Sequence, residues 1–366
     1  DPVHLFKPDE TIRVRRNVNA DTPFPPEVQH ALNPPDGVVI YYSLASRPSS
    51  AVTIDILDAS GATVRHMSSV ASPPVKEAAQ PPEPNFWIAP PMALSTNVGT
   101  NRANWDFRYD EPPAFNHSFE INANPGLTPA APEGPMAAPG VYTVKLAVDG
   151  KSYTQTVTVR NDPRSPATSA DIQAQHALTM RIYAGEKESW DGYNQVAAMR
   201  SAVAGLAADG HPAEVITAAK AFDAKLQAVG GSTAPAGRGR GGPPQPPDFI
   251  RVNGVMGRIQ GSLDNGDMAP TSAMLRGYGA DCTDLKNVVA AWKTINTKDL
   301  PAFNAVLAKN SLPAIPTASP QLAAPACAAG LSVSDRRVLE THANAAVSHS
   351  QAQDDEESEE EAEQPL

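Results

Sequence analysis

The apolar residues of this chain change their spacing once, and that change limits the fold more than any other feature. Up to about Pro163 they recur at every second position; beyond it they recur every three or four. A period of two places side chains on alternate faces of a strand, and a period near 3.6 gathers them on one side of a helix. The sequence therefore predicts an α+β protein with separate domains: an N-terminal immunoglobulin-like β-sandwich, then an antiparallel α-helical bundle.

The strand part is read as follows. Residues 38–44, Val-Val-Ile-Tyr-Tyr-Ser-Leu, are rich in β-formers. Val52, Ile54 and Ile56 alternate with Thr53 and Asp55, and a turn at residues 58–61 leads to a hairpin partner at 63–67. Ala103, Trp105, Phe107 and Tyr109 form one face of a strand over 102–109. Two alternating runs, 141–148 and 152–159, flank Asp149-Gly150-Lys151, and Asp-Gly favours a tight hairpin because glycine accepts positive φ. About six short strands of this kind argue for a sandwich over residues 38–160. Residues 1–37 read as an extended, Pro-rich lead-in, 70–100 as a Pro-rich insertion, and 161–168 as a linker. No helix is expected before residue 165.

The 37 prolines are about twice average usage. They lack a backbone donor, so they belong to loops, edges and linkers. With aromatics at 6%, the cores are expected to be built from Val, Ile, Leu and Ala.

The helical part begins at Thr168, which with Asp171 has the spacing of an N-terminal cap. Apolar stripes follow through Val196, Met199, Val203 and Leu206, then Val215, Ala219, Phe222 and Leu226, then Val252, Met256, Ile259 and Leu263. The clearest runs Leu275, Tyr278, Cys282, Leu285, Val289, Trp292, and a last short helix carries Leu300, Phe303 and Leu307. Such helices bury their stripes only by packing together, which places a bundle over 169–315. A Gly/Pro/Arg loop at 230–247 interrupts it, and 316–366 reads as a disordered acidic tail with a weak helix near 333–347.

That tail explains the net charge of −11. Eight acids lie between Asp354 and Glu363, leaving 32 of the 40 acids against 29 bases elsewhere. A nearly neutral body lacks the basic face that nucleic acid requires. No stretch approaches the ~20 apolar residues of a membrane span. Cys282 and Cys327 form one bridge or remain two free thiols; the count decides neither this nor the redox compartment. The chain opens on Asp1 rather than Met, so a processed or excerpted product is expected.

Residues 58–65, Asp-Ala-Ser-Gly-Ala-Thr-Val-Arg, resemble the hairpin of the flagellar hook-capping (FlgD-like) immunoglobulin-like domain. Residues 99–109 and 138–155 resemble later strands of the same module. Together with residues 159–164 and 300–307, the pattern is similar to the C-terminal region of large bacterial exported proteins with BNR-repeat, sortilin-like β-propellers, often labelled glycosyl hydrolases. The likeness covers about residues 1–316. It implies an extracellular or periplasmic location, a preceding β-propeller as partner, and no cofactor. It also implies that any sialidase-like pocket lies in the propeller, because no Asp-box appears here. Part of a glycoside hydrolase, or a carbohydrate-binding module, are the alternatives.

The residues offer little convergent chemistry. The eight histidines are scattered, no pair has His-x-x-x-His spacing, and His66 reads as an exposed strand residue. Glycoside hydrolysis needs two carboxyls facing one cleft. Asp106, Asp110 and Glu111 are the nearest such group, with Asp106 and Asp110 on one face if the strand continues. The simpler reading is a solvated strand end, or Asp106 paired with Arg102 or Arg108. Trp105 and Tyr109 sit in an apolar set and read as core, and Cys282 reads as a small buried hydrophobe. Trp87, in the Pro-rich insertion, is the candidate for stacking on a polysaccharide ring. No catalytic residue and no metal ligand is assigned.

Overall fold

The structure, a computed structural model, describes residues 2–15, 22, 24–25, 27–29, 31, 34–71, 83–90, 92–115, 117–119, 126–232, 246–323, 325 and 327. The Gly/Arg run at 237–242, the weak helix near 333–347 and the acidic run lie outside these residues. The chain is α+β: a strand-rich N-terminal part is followed by helices, and the first helix begins at Ser169. It divides into two compact units. Residues 1–167 and 260–267 form the first, and residues 168–259 with 268–366 form the second.

The first unit contains β1 (Val3–Leu5), β2 (Thr11–Arg13), β3 (Val38–Leu44), β4 (Thr53–Leu57), β5 (Thr63–Ser68), β6 (Gly99–Trp105), β7 (Ser118–Phe119), β8 (Ala130–Ala131), β9 (Gly140–Val148) and β10 (Lys151–Asn161). These make a three-stranded sheet in the order β1-β3-β6, a five-stranded sheet in the order β2-β10-β9-β4-β5, and the small pair β7-β8. The alternation seen in sequence is the alternation of burial. Val38, Ile40, Tyr42 and Leu44 of β3 face inward, as do Ile54 and Ile56 of β4 and Tyr142, Val144, Leu146 and Val148 of β9.

The β9–β10 hairpin turns through Asp149 (φ 46) and Gly150 (φ 77), with Val148 opposite Lys151. Two successive positive φ values match the twist of the flanking strands, which is why Asp-Gly serves here. In the β4–β5 turn, Asp58 accepts hydrogen bonds from the backbone N–H groups of Ser60 and Ala62.

Two expectations need correction. The lead-in is not only extended chain, because β1 pairs antiparallel with β3 and β2 pairs parallel with β10. Strands of three residues are too short for a period to show, and their partners create them. The strand expected over 102–109 ends at Trp105, since Phe107 adopts φ 64 and breaks the ladder. Burial still persists through Phe107 and Tyr109. As expected, Val, Ile, Leu and Ala make up most of the first core, with a small aromatic group at its centre. Trp105 of one sheet lies 4.9 Å, edge to face, from Tyr142 of the other, with Phe107 against it at 5.8 Å. The aromatics are few but concentrated at this centre.

The second unit opens on the expected cap. The Thr168 hydroxyl accepts from Asp171 N, and the Asp171 carboxylate accepts from Thr168 N. The helices are α1 (Ser169–Ala204), α2 (Ala213–Gly230), α3 (Phe249–Leu263), α4 (Ser272–Thr294) and α5 (Leu300–Lys309), with one π-turn at residues 295–299 joining the last two. Phe222 of α2 stacks on Phe303 of α5 at 4.9 Å. The indole N–H of Trp292 donates to Gln195 at 2.9 Å.

Helix α1 is longer than its readable stripe. Its buried positions continue through Gln175, Thr179, Gly185, Glu186, Ser189 and Gly192. A Cβ at Gly185 would lie 2.4 Å from the Met256 sulfur, and one at Gly192 2.4 Å from the Phe249 ring. Small residues thus admit the first part of α3 closely, and a hydropathy period does not register them.

Chain beyond Ile315 is tied down where it is described. Asn304 bonds both the N–H and the carbonyl of Ile315, Asn296 accepts from Ala318 N, and Gln195 donates to the Pro320 carbonyl. Cys282 and Cys327 form a disulfide with Cα atoms 5.4 Å apart, which resolves the open alternative. The described part of the expected tail is therefore strapped to the helices, because polar side chains on α1, the π-turn and α5 supply backbone bonds to it.

Candidate functional site

The carboxylates singled out in sequence do not converge. Asp106 accepts from the N–H of Arg108 at 3.1 Å, closing a local turn. Asp110 accepts from His66 N at 3.0 Å and lies 4.0 Å from the Arg65 guanidinium. Glu111 is exposed. With the strand broken at Phe107, Asp106 and Asp110 do not share a strand face. His66 is half exposed and pairs with Asp55 at 2.6 Å. Arg108, the named alternative for Asp106, points its guanidinium to Asp264 and Glu133.

That contact belongs to the strongest polar cluster of the first unit. Arg13, only 2% exposed, bonds Asp267 at 2.8 Å, and Arg15 reaches the same oxygen at 2.6 Å. Arg15 also donates to the Asp264 carbonyl at 2.7 Å, and Arg108 to the Gly134 carbonyl at 3.0 Å. Burial lowers the Arg13 pKa despite Asp267. Burial opposes the charge on Arg108 too, but Asp264 and Glu133 more than offset it, and that pKa is raised. Among the described residues the cluster sets Arg13, Arg15 and Arg108 against Asp264, Asp267 and Glu133, so its charges are engaged with one another. It fixes residues 260–267 into the first unit.

Trp87 sits in a turn after Pro84, whose carbonyl it bonds. Its own carbonyl accepts from Thr128 N, and Ala89 N donates back to Thr128 O. The indole is partly buried, its N–H enclosed without a partner, and Phe86 beside it is the more exposed ring. Trp105 and Tyr109 are core residues, as read in sequence.

The second unit has a groove of about 380 Å³ between α1 and α2, lined by Tyr193, Ser201 and Gly231 among others. Its charged pair, Arg200 and Asp223, is closed on itself by two bonds of 2.7 and 3.0 Å. Sequence reasoning missed the most unusual ionisable group, Glu186. It is 1% exposed, both carboxylate oxygens lack a partner, and burial pushes its pKa up to about 8. A glutamate in a helix carries no sign of burial among its sequence neighbours, and only the packing of α1 places it among buried Ile182 and Ser189.

Among the described residues no group of three or more His, Cys, Asp or Glu side chains is arranged to hold a metal, and no helix is long and apolar enough to cross a membrane. No family model, curated protein or solved structure matches this chain.

Proposed function

We propose that the chain is a non-catalytic structural and interaction module of a larger exported β-propeller protein. In this reading the two sheets of the first unit form an immunoglobulin-like sandwich. The helices of the second form an antiparallel bundle, and the partner is the propeller. The observation that carries it is the commitment of the ionisable groups. Asp106, Asp110, Arg108, Asp264 and Asp267 are all spent on holding backbone or each other in place. A group that closes a turn or neutralises a buried guanidinium is not poised to exchange protons with a substrate. The Cys282–Cys327 disulfide favours an oxidising compartment, in keeping with export.

Two measurements test this. The chain alone is expected to leave a panel of arylglycosides uncleaved; turnover that Asp106→Asn abolishes would replace the reading with a glycoside hydrolase. The chain is also expected to co-purify with a separately expressed BNR-type propeller, and failure to associate at micromolar concentrations counts against the partner.

A further inference from the structure

The outer face of the three-stranded sheet carries a row of side chains, of which Asn104 bonds the Asp36 carbonyl while Tyr41 and Arg102 make no side-chain hydrogen bond among the described residues. Outward positions are His4 and Phe6 on and just after β1, Val39, Tyr41 and Ser43 on β3, and Thr100, Arg102 and Asn104 on β6. The Phe6 N–H donates to the Tyr41 carbonyl, and Tyr41 lies opposite Arg102 in the ladder, so Phe6, Tyr41 and Arg102 line up across the three strands. Phe6 is 41% exposed and Tyr41 45%, and Arg102 is exposed as well. The His4 imidazole stands edge-on to Phe6 at 4.6 Å. Neither the Tyr41 hydroxyl nor the Arg102 guanidinium has a side-chain partner among the described residues, and none of the outward positions is acidic.

We propose that this face binds an acidic polysaccharide, with Phe6 and Tyr41 stacking on pyranose rings and Arg102 pairing with a carboxylate of the sugar. An aromatic ring offers a flat apolar surface with a polar edge, which suits the C–H face of a sugar. A free guanidinium matches a carboxylate bidentately, and the lack of opposing acid on the face supplies the charge complementarity. Size argues against a protein occupant. Two strands of seven residues and one of three, ~4.8 Å apart, present at most roughly 250 Å². A stable protein interface needs about 800 Å² per partner. The surface between the rings is also polar, with Ser43, Thr100 and Asn104, where a protein-binding patch would be apolar. The inference goes beyond the module reading and can fail without it.

The test is affinity electrophoresis of the full chain in gels containing polygalacturonate or, separately, neutral dextran. Polygalacturonate is expected to retard the protein, and dextran is not. Tyr41→Ala and Arg102→Ala should each weaken the retardation about tenfold. Tyr41→Phe should keep most of it, because the ring remains. Raising salt from about 50 to about 500 mM should release the protein, because exposed charges are screened. Thermal melts of the variants should match the parent, since these side chains hold no core contact. No retardation by polygalacturonate, equal retardation by dextran, or loss on Trp87→Ala with Tyr41→Ala unaffected would each overturn the proposal. So would loss of propeller association, rather than of polysaccharide binding, in Tyr41→Ala and Arg102→Ala.

Discussion

The two units treat buried charge in opposite ways. In the first, Arg13 is almost wholly enclosed and meets a carboxylate at 2.8 Å, within a cluster whose signs balance. In the second, Glu186 is equally enclosed and its carboxylate has no partner. Desolvating an ion costs several kcal/mol unless another charge compensates it. An arginine cannot shed its proton to escape that cost, so it must be paired. A glutamate can keep its proton and be buried neutral, which is what a pKa pushed up to about 8 expresses. Pairing ties distant chain together at any ordinary pH, whereas neutralisation makes stability depend on pH.

The contrast is exposed most directly by Asp267→Ala. It leaves Arg13 buried without its carboxylate and should cost roughly 3–5 kcal/mol in denaturant unfolding. A loss under about 1 kcal/mol would place the pair with ordinary surface ion pairs. The second unit relies on a covalent tie where the first uses charge. Cys282→Ser with Cys327→Ser should lower stability by roughly 2–4 kcal/mol, because the bridge closes 45 residues of sequence. Reduction with dithiothreitol should reproduce the loss in the parent and leave the double variant unchanged.

Glu186 gives a pH signature that the arginine cluster does not. Its folded pKa lies above the ordinary value of 4.5, so the folded chain holds a proton that the unfolded chain has released between these limits. Its contribution is therefore full below about 4.5 and declines as pH rises to about 8, at about 1.4 kcal/mol per pH unit. From pH 5 to 7 this amounts to about 3 kcal/mol, and Glu186→Gln should remove that slope. An unchanged pH profile in the variant would show that the carboxylate is hydrated or paired after all. The smallest effect is local: Thr168→Ala removes the cap of α1 and should cost about 1 kcal/mol, read from the melting temperature.

Much of the fold was legible because its signals are short in range. The Asp149-Gly150 turn, the alternation in β3, β4 and β9, and the cap at Thr168 each depend on a few adjacent residues. Of the candidate site, the core roles of Trp105 and Tyr109 could be read from their company in an apolar set. The fates of Asp106 and Asp110 could not, since they turn on Phe107 leaving the strand. The face formed by Phe6, Tyr41 and Arg102 could not be read either, because β1 is too brief to show alternation and its register comes from β3.

The sequence by itself therefore determined where strands give way to helices and which side of most elements is apolar. A backbone period of 2 or 3.6 is written into adjacent positions. Tertiary structure alone decided that Thr11–Arg13 joins β10, that residues 260–267 belong with the strands, that Cys282 meets Cys327, and that Glu186 is enclosed. Each of these depends on partners tens to hundreds of residues away. Their effect on a side chain, through desolvation, pairing or closure, has no trace in its immediate neighbours.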